Sequence, residues 1–91
     1  MIKAIAIDDE PPALKVIETY CEAAEGIILQ RTFTRPSEAE RYISKYPVDL
    51  IFLDINMPQH NGFELLDIID GEKFIVVVVT AHLNHSIKAI K

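Results

Sequence analysis

LIFLD, residues 50 to 54, places four apolar residues in a row and ends on an acid. A strand with one face in water alternates apolar and polar residues, whereas an unbroken apolar run is typical of a strand covered on both faces. FIVVVV, residues 74 to 79, repeats this pattern farther along the chain. The two runs therefore predict strands of a parallel sheet that has helices on both sides.

The segments around these runs alternate between strand-like and helix-like patterns. Further strands are predicted at residues 2–7 and 27–33, and helices, where apolar residues recur at helical spacing, at about 11–24, 39–46 and 62–70. A last helix is expected to begin near Asn84 or His85 and to continue to the end of the sequence. The order β-α-β-α-β-α-β-α indicates a doubly wound α/β sheet with right-handed crossovers, in three layers α/β/α.

Composition limits the kind of protein. The 91 residues suffice for one core, and 49% hydrophobic with 25% charged residues is ordinary for a folded chain. A net charge of -5 argues against direct nucleic-acid binding by this domain, because phosphate backbones are held by clustered Lys and Arg. We expect a cytoplasmic protein without membrane contact, since neither a spanning apolar run nor a signal peptide is evident. Cys21 is interpreted as a core residue.

Acidic and hydroxyl side chains follow three of the predicted strands. Asp8 and Asp9 come after the first strand, Asp54 ends the third, and Thr80 ends the fourth. In doubly wound sheets, ligands bind beyond the carboxyl ends of the strands. We therefore expect these four side chains to face one crevice.

Three carboxylates in one crevice repel each other, and a divalent cation relieves that repulsion. An all-oxygen ligand set that leaves room for waters and a phosphoryl oxygen suits Mg²⁺. One carboxylate can then attack phosphorus and form an aspartyl phosphate, to which the Thr80 hydroxyl could donate a hydrogen bond. The pattern therefore favours a phosphoryl-accepting site.

The triplet Asp8, Asp9 and Glu10 has a simpler alternative interpretation. Acids that precede a helix often stabilise its positive end, by about 0.3 to 1 kcal/mol per charge at exposed sites. Capping leaves Asp54 and Thr80 without an explanation. The joint placement of all these residues therefore favours the metal site over the cap.

Three stretches of the sequence together resemble a known family. IAIDDEPPAL (5–14), DLIFLDINMPQHNGFELL (49–66) and VVVVTAH (76–82) are similar to the receiver domains of bacterial two-component response regulators, and the resemblance covers the whole chain. DDEPPAL and the ending TAHLNHSIKAI (80–90) are most similar to receivers that precede a LytTR-type DNA-binding domain. The resemblance implies a flavodoxin-like sheet of order 2-1-3-4.

The resemblance also implies roles for residues around the metal. Asp54 matches the phosphoacceptor and a metal ligand, and Asp9 matches the direct carboxylate ligand of Mg²⁺. Asp8 matches the acid that orients a metal-bound water. Asn56 would offer its backbone carbonyl to the metal.

Two more matches concern the switch itself. Thr80 matches the switch hydroxyl, which moves inward with the phosphoryl group, and Ala81 matches the small residue that leaves space for that group. Pro58 and Gly62 would shape the loop that follows Asp54. The phosphoryl donor would be a phosphohistidine on a sensor histidine kinase. The downstream partner would be an output domain, of LytTR type, that controls transcription, and a homodimer is possible.

The sequence departs from the family pattern at its end. Receivers carry a phosphate-pairing lysine and an aromatic switch residue around a fifth strand, and this sequence stops before both. Lys73 lies at the wrong end of the fourth strand, and Lys88 and Lys91 lie on the predicted last helix. We therefore expect residues 1–91 to be a C-terminally incomplete receiver with the fifth strand missing, part of a longer regulator.

The sequence-based prediction is a phosphoacceptor switch and not an enzyme that turns over an external substrate. One alternative is a phosphatase of the haloacid dehalogenase type, which uses the same intermediate. That class carries D-x-D on its first strand, where this chain has DDE. The other alternative is a pseudo-receiver, an interaction module that keeps the fold without being phosphorylated.

Overall fold

The computed structural model describes residues 1–54 and 74–79, and residues 87–90 as backbone only. These residues form one five-stranded sheet of order β2-β1-β3-β4-β5 and two helices. The elements are β1 (Ile2–Ile7), α1 (Pro11–Ala23), β2 (Ile27–Phe33), α2 (Pro36–Lys45), β3 (Leu50–Asp54), β4 (Ile75–Val79) and β5 (Ile87–Ile90). The helix predicted at 62–70 lies outside the described residues.

The first four strands pair in parallel in the order 2-1-3-4, which confirms the predicted sheet. The register sets Ile7 of β1 beside Leu53 of β3, and Asp54 beside Val79 of β4. Consequently the carboxyl ends of β1, β3 and β4 lie at the same edge of the sheet.

The two helices lie on opposite faces of the sheet, which confirms the three layers. Ile5 and Ile7 of β1 belong to the buried cluster that contains Ala39 of α2. Ala4 and Ala6, which alternate with them, belong to the cluster on the α1 side; its other buried members are Leu14, Ile17, Cys21, Leu50 and Phe52. Both faces of β1 are therefore apolar and covered, as in a strand at the centre of a parallel sheet.

Cys21 is a core residue, as predicted. Its side chain is 5% exposed and packs among the apolar residues of α1. Burial raises the pKa of the thiol, because the thiolate would lose its hydration. The thiol therefore remains protonated and acts as a small apolar group.

Strand β2 contains a bulge that the sequence pattern does not reveal. Ala4 pairs with Leu29 and Ile5 with Arg31, so that Gln30 is the extra residue. Leu29 packs in the cluster on the α1 side, whereas Phe33 packs in the cluster on the α2 side. An extra residue shifts the alternation of side chains by one position. The bulge therefore lets one strand supply apolar side chains to both layers.

The end of the chain corrects the prediction of a final helix. Residues Ile87–Ile90 form β5, which pairs antiparallel with β4 and sets Lys88 beside Val78. A short apolar run does not distinguish a strand from a helix, and the outer edge of β4 offers unpaired backbone groups. Pairing with β5 along that edge satisfies those groups.

Candidate metal centre

Three carboxylates meet at the carboxyl ends of β1 and β3. One oxygen each from Asp8, Asp9 and Asp54 lies within 4.8 Å of the other two. Asp8 and Asp54 are nearly inaccessible, at 3% and 7% exposure, while Asp9 is half-buried. The structure therefore brings together the three acids that the sequence places at neighbouring strand ends.

The sheet register explains why these acids converge. Ile7 and Leu53 are partners in adjacent parallel strands, so the residues that follow them, Asp8 and Asp54, stand side by side. The preceding residues Ile51 and Leu53 are fully buried, which anchors the strand that carries Asp54. Because the core fixes both strands, the carboxylates are held close together despite their mutual repulsion.

Local hydrogen bonds fix Asp8 at the turn into α1. The backbone N–H of Glu10 donates to Asp8 Oδ1 over 2.9 Å, and the backbone N–H of Asp8 donates to the carbonyl of Phe33 over 3.0 Å. Glu10 is the N-cap of α1, but its side chain makes no capping hydrogen bond. Glu10 therefore does not cap the helix with its side chain, and the acid of the triplet that bonds the backbone at this turn is Asp8.

Asp8 is not fully ionised near neutral pH in this site. Burial is the largest cause, and the nearby charges of Asp54 and Asp9 add to it; together they raise the pKa of Asp8 from 3.8 to about 7. The Glu10 N–H opposes this change, because it donates to the carboxylate. A divalent cation between the three acids would reverse the effect by favouring the ionised form.

The donor set of the cluster fits Mg²⁺. Three carboxylates provide hard oxygen ligands, and Asp9 keeps part of its surface accessible for water and for an incoming phosphoryl oxygen. One carboxylate within such a cluster can serve as the nucleophile for phosphorus. The arrangement can therefore hold a metal ion and accept a phosphoryl group on the same residues.

Several predicted site residues lie outside the described part of the chain. They are Asn56, Pro58, Gly62, Thr80 and Ala81. Sequence reasoning also missed two contributors: the backbone N–H of Glu10 and the backbone carbonyl of Phe33, both of which hold Asp8. An Asp two residues before the N-cap of a helix is a signal for the first contact, since such side chains often bond the backbone two residues on. The second contact depends on the β1–β2 register, which the sequence does not show.

Comparison with known proteins identifies the family. The family model described as response regulator receiver domain matches residues 4–91. The chain is a response regulator receiver domain. Receiver domains bind Mg²⁺ at an acidic pocket, and this chain has a cluster of three Asp side chains.

Two curated relatives extend this comparison. The transcriptional regulatory protein BtsR of Salmonella typhi is 32% identical to the receiver domain over 92 residues, which cover 100% of this chain and 38% of BtsR. The sensory transduction protein LytR of Streptococcus agalactiae is 31% identical over 94 residues, covering 99% of this chain and 38% of LytR. The receiver domain thus spans well under half the length of these relatives.

A solved structure supports the fold. The structure of the MaeR response regulator bound to beryllium trifluoride matches with a TM-score of 0.81 at 19% identity, covering 89% of this chain and 68% of that chain.

Neither α1 nor α2, the two helices in the described part of the receiver domain, has the length and apolar character that a membrane span requires.

Proposed function

We propose that this receiver domain accepts a phosphoryl group on Asp54 in the presence of Mg²⁺, from a phosphohistidine of a sensor histidine kinase. The observation that carries the proposal is the meeting of three carboxylate oxygens within 4.8 Å at the end of β3. In the transfer, an Asp54 oxygen forms a bond to phosphorus while the phosphorus–nitrogen bond to the histidine breaks, and the histidine nitrogen keeps the electron pair. Bound Mg²⁺ supplies charge neutralisation for the phosphoryl oxygens.

Each acid has its own role in this proposal. Asp54 is the nucleophile and a metal ligand, and Asp9 is the second carboxylate ligand. Asp8 lies deeper in the site, where the Glu10 N–H holds it, and it would orient a water on the metal. By the resemblance to receiver domains, the backbone carbonyl of Asn56 would complete the ligand set that the protein supplies.

The signal would be passed on by residues at the end of β4. Thr80 would donate a hydrogen bond to the phosphoryl group, and Ala81 would leave space for it. The relatives BtsR and LytR support a role in transcription or sensory transduction, because their names state these roles. We propose that residues 1–91 are part of a longer cytoplasmic regulator whose LytTR-type output domain binds DNA, while the receiver domain itself does not.

Incubation with acetyl phosphate and Mg²⁺, followed by intact-mass measurement, tests the proposal. One phosphoryl group should be added to the wild type and none to Asp54→Ala. Asp49→Asn is a matched control, because Asp49 is an exposed acid just before β3, at the other end of that strand from Asp54. Labelling of Asp54→Ala, or no labelling of the wild type, would contradict the phosphoacceptor role.

Continuous release of phosphate distinguishes the phosphatase alternative. The phosphoacceptor proposal expects a slow release that follows the decay of the labelled protein. Many turnovers of a phosphomonoester per protein molecule would instead indicate an enzyme of the haloacid dehalogenase type.

A further inference from the structure

A cationic and aromatic cleft lies between β2 and α2. It has a volume of about 280 Å³ and shares no side chain with the carboxylate cluster. We call it the β2–α2 cleft; the lining residues that matter here are Arg31, Glu38, Arg41, Tyr42, Lys45 and Tyr46. The phosphoacceptor function gives this cleft no role.

The charge of the cleft is opposite to that of the chain. Arg31, Arg41 and Lys45 contribute three positive charges, and Glu38 contributes one negative charge, whereas the chain carries a net charge of -5. All three cations are exposed. The cleft therefore attracts acidic groups locally, although the protein as a whole repels them.

Aromatic rings hold the cleft in a fixed shape. The Arg31 guanidinium carbon lies 5.7 Å from the ring centroid of Phe33 and 5.8 Å from that of Tyr42, which is within cation–π range. The Tyr42 hydroxyl donates to Gln30 Oε1 over 3.1 Å. These contacts restrain Arg31 and Tyr42 before a partner binds, which lowers the entropic cost of binding.

Tyr46 provides the exposed apolar surface of the cleft. Its ring lies 4.6 Å from the Tyr42 ring, centroid to centroid, at an angle of 30°. Nevertheless Tyr46 is 53% exposed, so much of its ring remains available for contact. Tyr and Arg are the residue types that supply much of the binding energy in protein interfaces.

We propose that the β2–α2 cleft docks an acidic segment of a partner protein, in which carboxylates flank an aromatic or aliphatic side chain. The carboxylates pair with Arg41 and Lys45, and the apolar side chain packs on Tyr46. A nucleic acid fits less well, because its continuous row of phosphates would meet only three cations on an acidic protein. Stacking of successive bases would also need more than one exposed ring.

Selection of short random peptides displayed on phage, with the 91-residue chain as the immobilised target, tests the proposal. The selected peptides should be acidic and carry an aromatic or aliphatic residue between Asp or Glu residues. Their affinity should fall as salt concentration rises, since the cations are exposed. The proposal would be overturned if the selected peptides were neutral or basic, or if no peptide were enriched. It would also be overturned if a labelled single-stranded oligonucleotide bound the cleft more tightly than the selected peptides do.

Charge-reversed variants assign the binding to the cleft. Arg41→Glu combined with Lys45→Glu should weaken a selected peptide at least about tenfold, because two attractive contacts become repulsive. Lys3→Glu combined with Lys15→Glu is the control: both lysines are exposed, the net charge changes equally, and neither residue lines the cleft. Equal losses in both double variants would show general charge attraction and overturn the docking site.

A second pair of variants tests the aromatic contact. Tyr46→Ala should weaken the peptide at least about fivefold, whereas Tyr20→Ala, which removes a tyrosine of 48% exposure on α1, should leave affinity unchanged. Circular dichroism checks that each variant is folded. Labelling by acetyl phosphate should persist in Tyr46→Ala, so failure of docking and failure of phosphorylation are measured separately.

Discussion

Asp8 is held where its negative charge is unfavourable. It is 3% exposed and lies beside Asp9 and Asp54, and these conditions raise its pKa to about 7. The folded chain therefore binds more protons than the unfolded chain between about pH 3.8 and pH 7. Within this window the free energy of unfolding falls as pH rises, and above pH 7 the penalty is fully present.

Replacement of Asp8 by Asn removes this penalty. Without divalent cations, Asp8→Asn should be more stable than the wild type at pH 8, by at most about 4 kcal/mol, the equivalent of three pKa units. The difference should shrink as pH falls towards 4. Urea titrations at several pH values measure it, with Glu25→Gln, which neutralises an exposed acid just before β2, as the control. A difference that does not depend on pH would contradict the electrostatic explanation.

Gly26 shows a backbone constraint at a single residue. It has a φ of +88° just before β2, and its carbonyl accepts a hydrogen bond from the N–H of Ile2 over 2.7 Å. A Cβ atom at this position would meet nothing within 4 Å, so a substitution costs only backbone strain.

Gly26→Ala should therefore destabilise the chain by about 1 kcal/mol, since a positive φ is unfavourable for residues with a Cβ atom. Gly26→Asn should cost less, because Asn tolerates this region of backbone space better. Thermal unfolding of the two variants measures the difference. If Asn proved as costly as Ala, or if neither changed stability, the strain argument would fail.

At the scale of the elements, the bulge in β2 connects the sheet to α2. After Gln30 the side chains change faces, which turns Arg31 and Phe33 towards Tyr42. Tyr42 in turn donates a hydrogen bond to the Gln30 side chain. An edge strand with a bulge also pairs poorly with other chains, so the bulge protects the free edge of β2.

The Tyr42 hydroxyl should stabilise this local arrangement. Tyr42→Phe keeps the ring and removes the donor, so we expect a loss of about 1 kcal/mol, the usual net value of one hydrogen bond. Tyr46→Phe is the control, because Tyr46 is half-exposed and no hydrogen bond is described for its hydroxyl within residues 1–54 and 74–79. Equal effects of the two changes on the urea midpoint would show that the bond to Gln30 contributes nothing.

The sequence predicted the parallel strands well because their apolar runs have one physical explanation. LIFL and the run of valines in β4 need cover on both faces, and the structure places them in adjacent strands of a parallel sheet. The bulge at Gln30 was not predictable, since it depends on pairing with β1. The segment Ile87–Ile90 was predicted to be helical, and its four residues are too few for periodicity to decide against strand pairing.

The sequence predicted which acids of the candidate site meet, but not the environment of each acid. Acids at the ends of strands had to converge once the strands were parallel and adjacent, and Asp8, Asp9 and Asp54 do so. Their individual environments required the structure, because burial and backbone donors determine which acid resists ionisation. A sequence shows which charges meet but not how deeply each is buried.

At the scale of the whole molecule, metal binding and folding are coupled. The acidic cluster links β1 and β3 at the centre of the sheet, and its mutual repulsion opposes folding whenever the acids are ionised. A ligand that binds only the folded chain stabilises it in proportion to the logarithm of its concentration. Mg²⁺ should therefore stabilise the domain above pH 7, where Asp8 is ionised, more than at pH 5, where a proton competes with the metal.

At pH 8, Mg²⁺ at about ten times its dissociation constant should add about 1.4 kcal/mol to the free energy of unfolding. For a domain of this size the unfolding temperature should rise by roughly 5 to 10 °C. Removal of the metal with EDTA should reverse the shift. Differential scanning calorimetry of the wild type, Asp9→Asn and the control Asp49→Asn measures it: Asp9→Asn should lose the response and the control should keep it. An equal rise in unfolding temperature for Asp9→Asn and the wild type would show that Mg²⁺ binds elsewhere. A larger rise at pH 5 than at pH 8 would show the same, because binding within the acidic cluster requires Asp8 to be ionised.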